Sequence, residues 1–137
     1  TPLIVTQKTY LMLSPDFAPE PGPGSATAGS DMVFDFRVYT VKHGTIPDYI
    51  DAVRELALPI RQRYGIKLAG WYTPDVGELN KIVHIWAYRD LAHLKEARAQ
   101  FTSDPDWLEK YVPRVTPHLV SQQNYLMRSL DFAPAPE

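Results

Sequence analysis

The side chains best suited to chemistry lie on two predicted strands, at residues 32–42 and 81–88. They are Asp35, Arg37, Tyr39, His84, Trp86 and Tyr88. Alternate residues of a strand share a face, so each set of three points the same way. A guanidinium can hold an anionic or enolised oxygen, and an imidazole can act as general acid or base near neutral pH. The pattern therefore makes Arg37 and His84 candidate catalytic residues.

The neighbours of these two residues are predicted to shape a ligand pocket. Asp35, Tyr39, Trp86 and Tyr88 are the candidate ligand-binding residues on the same two strands. Trp71 and Tyr72 lie on the predicted strand 66–73, and Trp71 is favoured as the one that faces the pocket. A simpler interpretation is that Asp35 and Arg37 form a salt bridge between subunits, with His84 hydrogen-bonded at the same interface.

A cluster of cations follows the first predicted helix. Arg61, Arg63 and Lys67 could gather an anion at the mouth of a cleft. Cations are also favourable at the negative end of a helix dipole, and a solvated helix end is the favoured interpretation.

No pattern in the sequence predicts a metal or a cofactor. The four histidines, His43, His84, His93 and His118, lie in different segments without metal-ligand spacing, and cysteine is absent. There is no phosphate-binding glycine loop, no nucleophile elbow and no nicotinamide or flavin fingerprint. We therefore expect no cofactor and no bound metal.

The composition is that of one compact domain. The chain has 137 residues, of which 45% are hydrophobic, with a net charge of −2 and a pI near 6.0. That charge gives no reason to expect nucleic acid or an anionic membrane as a partner. No apolar run is long enough to span a bilayer, and a cytoplasmic location is the default expectation.

From Met32 onward the element order is β-α-β-β-α-(α)-β. The predicted strands are 32–42, 66–73, 81–88 and 118–129, and the predicted helices are 45–65, 91–101 and 105–113. Thr45 and Asp90 are predicted N-caps, Gly65 a helix stop, and Pro59 a point of kinking or restart. This order predicts an α+β ferredoxin-like fold, with a four-stranded antiparallel sheet and helices on one face.

The two faces of this sheet differ in character. The more apolar face is predicted to pack against the helices, and it carries Phe34, Phe36, Val38, Val83, Ile85 and Ala87. The aromatic and charged face with Arg37, His84 and Trp86 would then be exposed in a single chain. Exposed apolar patches usually mark interaction sites, so we expect a second copy to cover that face in a homodimer or higher homo-oligomer.

Three stretches of the sequence resemble the NIPSNAP family. They are "FDFRVYTVKHG", "LPIRQRYGIKLAGWYTPDVGELNKIVHIWAYRDL" and "DPDWLEKYV…LVSQQNYLM", with the most specific match at 58–91. The resemblance implies a dimeric α+β barrel in which two ferredoxin-like sheets pack face to face. It also implies a superfamily that includes cofactor-independent monooxygenases, isomerases and dehydratases, beside many members with no assigned activity.

The chain begins and ends with the same segment. Residues 1–21 repeat residues 116–136 with thirteen identical positions, among them Tyr10/Tyr125, Asp16/Asp131 and Phe17/Phe132. Residues 1–21 therefore read as an extra strand and arm that duplicate the C-terminal strand, residues 22–31 as a flexible linker, and 32–137 as the domain. The extra strand is either a remnant of a tandem protein or a native strand-exchange arm, and in both cases we expect it to pair with a sheet edge.

Three functions remain open from the sequence. The first is binding of a small, partly aromatic or carbonyl-containing ligand in the barrel cleft. The second is a cofactor-independent enzyme that uses His84 and Arg37. The third is a non-catalytic dimerisation or scaffold module.

Overall fold

The fold is a five-stranded antiparallel sheet with helices packed on one face, seen in a computed structural model that describes residues 3–19 and 31–130. Its elements are β1 (Leu11–Leu13), β2 (Val33–Val41), α1 (Ile46–Ala52), a π-helical turn (Val53–Ala57), α2 (Leu58–Arg63), β3 (Lys67–Val76), β4 (Lys81–Tyr88), α3 (Leu91–Phe101), a second π-helical turn (Trp107–Tyr111), α4 (Val112–Val115), a 3-10 turn (Thr116–His118) and β5 (Leu119–Met127). The strand order is β1-β3-β4-β2-β5. The last four strands of that order form the predicted ferredoxin-like sheet, so the predicted fold class is confirmed.

The first helix is interrupted near Pro59, as predicted, but by a wider turn and not by a break. The π-helical turn Val53–Ala57 ends two residues before Pro59, and the second π-helical turn Trp107–Tyr111 ends two residues before Pro113. Proline has no backbone N–H, so a regular α-helical bond is lost at each position. Short π-helical turns are frequent at functional sites.

The predicted helix ends are largely as expected. The Asp90 carboxylate caps α3 by accepting a hydrogen bond from the His93 backbone N–H at 2.7 Å. Gly65 follows α2 with a positive φ of 72°, which suits a helix stop. Thr45 does stand at the N-cap of α1, but its hydroxyl donates to the Lys42 carbonyl and does not cap the helix.

The extra N-terminal strand pairs with a sheet edge. Only Leu11–Leu13 form a strand, and this strand lies antiparallel to the end of β3 at Thr73–Val76. Of the predicted linker 22–31, Asp31 alone lies within the described residues.

The assignment of the two sheet faces is wrong. The helices cover the face that carries Asp35, Arg37, His84 and Trp86; Asp35, His84 and Trp86 are buried within one chain. The prediction ranked the faces by apolar content alone. The helix-covered face carries the larger aromatic rings, and hydrogen bonds within the chain, from Arg37 to Asp35 and from Trp86 to His84, offset part of the cost of burying its polar groups.

The opposite face, with Phe34, Phe36, Val38, Val83 and Ile85, is the open face. These five side chains are only partly buried, and the β5 residues beside them, Tyr125 and Met127, are 54% and 43% exposed. Ala87 is the exception, since it is buried. A second copy cannot cover Arg37, His84 and Trp86, because the chain's own helices already do so.

Candidate functional site

A cavity of about 210 Å³ lies between the helix-covered face of the sheet and the helices. Its wall comprises Arg37, Tyr39, Tyr49, Val53, Arg61, His84, Trp86, Trp107, Tyr111, Val112, Val115, Thr116, Leu119 and Gln122. Both π-helical turns contribute to this wall, through Val53 and through Trp107 and Tyr111. The structure thus brings four of the predicted site residues, Arg37, Tyr39, His84 and Trp86, to one cavity.

The other three predicted site residues stand behind or beside this wall. Trp71 is fully buried and pairs across the sheet with His84, with 6.5 Å between the ring centroids. Asp35 and Tyr88 are also buried on the helix-covered face. None of the three lines the cavity.

Arg37 is held in place within its own strand. Its Nε donates to Asp35 Oδ2 at 2.8 Å, and its Nη1 donates to the Tyr39 hydroxyl. The salt bridge that the sequence suggested between subunits therefore lies inside one chain. Because Asp35 balances its charge, Arg37 is fixed at the cavity wall with part of its donor capacity already used.

His84 is a neutral imidazole whose tautomer is set by Trp86. An indole N–H can only donate, so the 2.6 Å contact from Trp86 Nε1 makes His84 Nδ1 the acceptor. Burial, aided by the positive charges of Arg61 and Arg37, holds the pKa of His84 well below its usual 6.5. The proton consequently sits on Nε2, a buried atom without a hydrogen-bond partner among the described residues.

Arg61 is a cavity residue that the sequence offered only through the less favoured alternative, a cation that gathers an anion at the mouth of a cleft. It is 4% exposed, so the predicted solvated helix end is wrong for this residue, although Arg63 is half exposed and pairs with Asp104 and Asp106. Its guanidinium lies 4.2 Å from the ring centroid of Trp86 and 4.6 Å from that of Phe101. Burial lowers the pKa of Arg61, but an arginine remains a cation in a protein.

No described carboxylate balances this charge. Arg61 Nε and Nη1 are buried without a hydrogen-bond partner among the described residues, and Arg61 has no ion pair there. Aromatic faces stabilise a cation but accept no strong hydrogen bond from it. Arg61 lies within α2, one helical turn before Gly65, and Arg63 is in the same helix, so no pattern in the sequence signals that Arg61 turns inward.

Three tyrosine hydroxyls complete the polar lining. Tyr111 donates towards the Tyr49 hydroxyl at 3.4 Å, and the Tyr39 ring packs edge-on against Tyr49. Burial raises the pKa of Tyr111 to about 12 and raises that of Tyr49 further. The Tyr49 and Tyr111 hydroxyls are therefore neutral, and among the described residues of the wall Arg37 and Arg61 are the charged groups.

The described residues contain no group of three His, Asp or Glu side chains that could hold a metal ion. His93 is engaged in helix packing, with Nδ1 accepting from the Arg89 backbone N–H and Nε2 beside the Tyr64 carbonyl.

The NIPSNAP family model matches residues 34–134, which is most of the chain. This chain belongs to the NIPSNAP family. Human protein NipSnap homolog 2 is 27% identical over 133 residues, covering 96% of this chain but only 44% of the human protein. Zebrafish protein NipSnap homolog 1 is 28% identical over 105 residues, covering 77% of this chain and 36% of the relative. The chain thus spans less than half the length of these relatives.

Solved structures of bacterial NIPSNAP proteins have the same fold. A NIPSNAP-like domain protein from Burkholderia xenovorans has a TM-score of 0.72 at 28% identity, covering 79% of this chain and 93% of that one. A NIPSNAP family protein with unknown function from Agrobacterium tumefaciens has a TM-score of 0.71 at 31% identity, covering 77% and 95%.

A more distant likeness shows the fold alone. A putative antibiotic biosynthesis monooxygenase from Nitrosomonas europaea has a TM-score of 0.53 at 11% identity, covering 76% of this chain and 95% of that one.

Among the helices described for this NIPSNAP chain, none has the length and apolar character that crossing a membrane requires.

Proposed function

We propose that this NIPSNAP domain binds a small aromatic molecule bearing an anionic or enolised carbonyl oxygen in the cavity beneath its helices. The observation that carries the proposal is the buried Arg61, whose Nε and Nη1 have no described partner. An unpaired buried charge is costly, and a ligand oxygen would supply the missing partner.

The donors in the cavity favour an acceptor and disfavour a cation. His84 offers only the Nε2 proton, because Nδ1 is occupied by Trp86, and Arg61 offers N–H groups alone. Arg37 adds a second cation at the same wall. A carboxylate or enolate oxygen can accept from such donors, and hydrogen bonds to charged groups contribute about 1.5–3 kcal/mol each.

The size and walls of the cavity favour a single ring. Its volume of about 210 Å³ is below the range of about 300–1,000 Å³ typical of drug-sized ligands. Trp86, Trp107 and Tyr111 supply aromatic surface around it. An aromatic ring can pack against these side chains while its charged substituent faces Arg61.

An enzymatic activity is the second candidate, and the same cavity geometry limits the reactions that it could catalyse. A neutral His84 Nε2–H that shares the cavity wall with Arg37 and Arg61 can stabilise an enolate, as an oxyanion hole does. No Asp or Glu lines the cavity among the described residues, and His84 Nδ1 is occupied, so a general base is missing. In this candidate, His84 and Arg37 therefore act by electrostatic stabilisation. The substrate must be acidic enough to bind already in its anionic form.

A homodimer through the open face is the third candidate. Phe34, Phe36 and Val38 with Val83 and Ile85 form an apolar strip that is only partly buried. The strip lies on the face opposite the cavity, so dimerisation and ligand binding do not exclude each other. The observation favours a second copy packed sheet to sheet, which would bury these side chains.

Tryptophan fluorescence during titration with benzoate tests the proposed ligand class, with benzamide as the neutral isostere. Trp86 and Trp107 line the cavity, so occupancy changes their emission. We expect saturable binding of benzoate, at least tenfold weaker binding of benzamide, and loss of benzoate binding in Arg61→Met. An Arg63→Met variant is the matched control, since Arg63 lies outside the cavity. Equal binding of benzoate and benzamide would contradict the proposal.

Acetylacetone tests the enzyme candidate, because its enolate absorbs in the ultraviolet. Stabilisation by Arg61 and His84 predicts a lower pKa for acetylacetone in the presence of the protein and no shift with Arg61→Met. An unchanged pKa beside intact benzoate binding would remove the enzyme candidate and leave the binding function.

A further inference from the structure

We infer that the ligand of the cavity carries a second, uncharged polar group at the end opposite its anionic oxygen, and that Gln122 recognises this group at the cavity mouth. This rests on the proposed function, in which the anionic oxygen lies beside Arg61. It makes Gln122 a specificity-determining residue. It also narrows the ligand class to single-ring aromatic acids with a hydroxyl or carbonyl substituent far from the acid group.

The cavity has a closed end and an open end. Around Arg61 the wall is buried, and His84 and Trp86 are 4% and 1% exposed. Thr116 and Gln122, by contrast, line the cavity and are nevertheless exposed to solvent. The mouth of the cavity therefore lies beside the 3-10 turn and the first residues of β5.

The strand register separates the two ends. Arg37 of β2 pairs with His84 of β4, and Tyr39, two residues further along β2, pairs with Gln122 of β5. Because β2 lies between β4 and β5, His84 and Gln122 are two strands apart. At about 3.4 Å per residue and about 4.8 Å between strands, their Cα atoms are about 12 Å apart. An acid held beside His84 therefore needs a substituent on the far side of its ring to meet Gln122.

The side chain of Gln122 is suited to an uncharged polar group. Among the described residues of the cavity wall, Gln122 alone carries a carboxamide, and that carboxamide has no hydrogen-bond partner among the described residues. The Thr116 hydroxyl, in contrast, already donates to the Val112 carbonyl at 2.6 Å. A carboxamide offers both donors and an acceptor without a charge. It can bond a phenol or a carbonyl, and it does not compensate a second anion.

The remaining wall near the mouth is apolar. Val112 and Val115 of α4 and Leu119 at the start of β5 line the same cavity. Contact with such side chains is non-directional and depends on area, so it discriminates little between substituents of equal size. A hydrogen bond with Gln122 does discriminate, because a hydroxyl can form it and a methyl group cannot.

Isothermal titration calorimetry with 4-hydroxycinnamate and 4-methylcinnamate tests the role of Gln122. The two acids share the carboxylate and have similar sizes, so the ratio of their affinities isolates the substituent. We expect the parent chain to bind 4-hydroxycinnamate about threefold to tenfold more tightly, which is the contribution of a neutral hydrogen bond.

Adjacent glutamines supply the variant and its matched control. Gln122→Leu should remove the preference by weakening the binding of 4-hydroxycinnamate, while 4-methylcinnamate keeps its affinity. Gln123→Leu should behave like the parent, because Gln123 pairs with Val38 and points to the open face. Both glutamines are exposed, so neither substitution should unfold the domain, and far-ultraviolet circular dichroism checks this.

Arg61→Met separates the role of Gln122 from the proposed function, because it should abolish the binding of both acids. Equal affinities of the parent for the two acids, or a preference that survives Gln122→Leu, would overturn the role of Gln122 and leave the proposed function standing. The same holds if the parent binds benzoate but neither cinnamate. Absence of benzoate binding as well would overturn both.

Discussion

The two faces of the sheet differ in how their side chains are covered, and the difference separates two functions. The helix-covered face buries the polar side chains of Asp35 and His84, and a cavity lined by His84 and by Arg61 of α2 lies between this face and the helices. The open face carries Phe36, Val38 and Ile85, which are apolar and only partly buried. Burial of polar groups where apolar ones were available is the arrangement expected of the ligand site that we propose, and an apolar open face is that expected of the proposed packing surface.

Substitutions of Trp71 and Tyr72 give the strongest test of this difference, since these adjacent residues of β3 point to opposite faces of the sheet. Trp71 is fully buried and Tyr72 is partly buried. Trp71→Ala should lower the free energy of unfolding by about 3–5 kcal/mol, the usual cost of removing a buried aromatic. Tyr72→Ala should cost about 1 kcal/mol in dilute solution, because its ring is not fully removed from water. Urea unfolding of the two variants measures both, and equal losses would contradict the assignment of faces.

The pH dependence of stability should come from the helix-covered face. The pKa of His84 is lowered in the folded chain, so below pH 6.5 the unfolded chain binds a proton that the folded chain does not. Stability should then fall as the pH decreases from 6.5, by up to ~1.4 kcal/mol per unit. Comparing the parent with His84→Gln in urea at pH 7.5, 6.5 and 5.5 isolates this contribution. A slope unchanged by the substitution would show that His84 titrates normally.

Substitution of Arg61 should affect ligand binding and the stability of the ligand-free protein differently. Arg61→Met removes a buried charge that has no described carboxylate partner, so the ligand-free protein should be as stable as the parent or more stable by about 1 kcal/mol. The cation–π contacts with Trp86 and Phe101 oppose this gain. Thermal unfolding without ligand measures the change, and a loss above about 3 kcal/mol would mean that Arg61 is a structural residue.

The smallest effect on folding is expected on the open face. Ile85→Glu should change the unfolding free energy at sub-micromolar concentration by less than about 1 kcal/mol, because a charge at a partly exposed position stays hydrated. It should nevertheless weaken self-association, which analytical ultracentrifugation measures over a concentration series. Glu109→Gln, at an exposed helix position, is a control that should leave association unchanged.

The fold was predictable because its signals are local. The strand of β4 at 81–88 and the helix at 91–101 have the predicted bounds, and Asp90 and Gly65 mark helix ends through their own chemistry. The family resemblance implied the same ferredoxin-like fold, which the solved NIPSNAP structures share.

The site was only partly predictable because its position depends on which face of the sheet the helices cover. Alternation grouped Arg37, His84 and Trp86 correctly on one face, but it carries no information about which face the helices cover. Arg61 could not be found from its neighbours either. Arg61 and Arg63 both lie in α2, directly after the π-helical turn, and residue type alone does not distinguish the buried cation from the exposed one.

A crystal structure of the protein grown with benzoate tests the central claim most directly. We predict electron density for the carboxylate within hydrogen-bonding distance of Arg61 and of His84 Nε2, with the ring against Trp86 or Trp107. Benzoate bound only outside the cavity, or an Arg61 guanidinium turned away from it to solvent, would contradict the account.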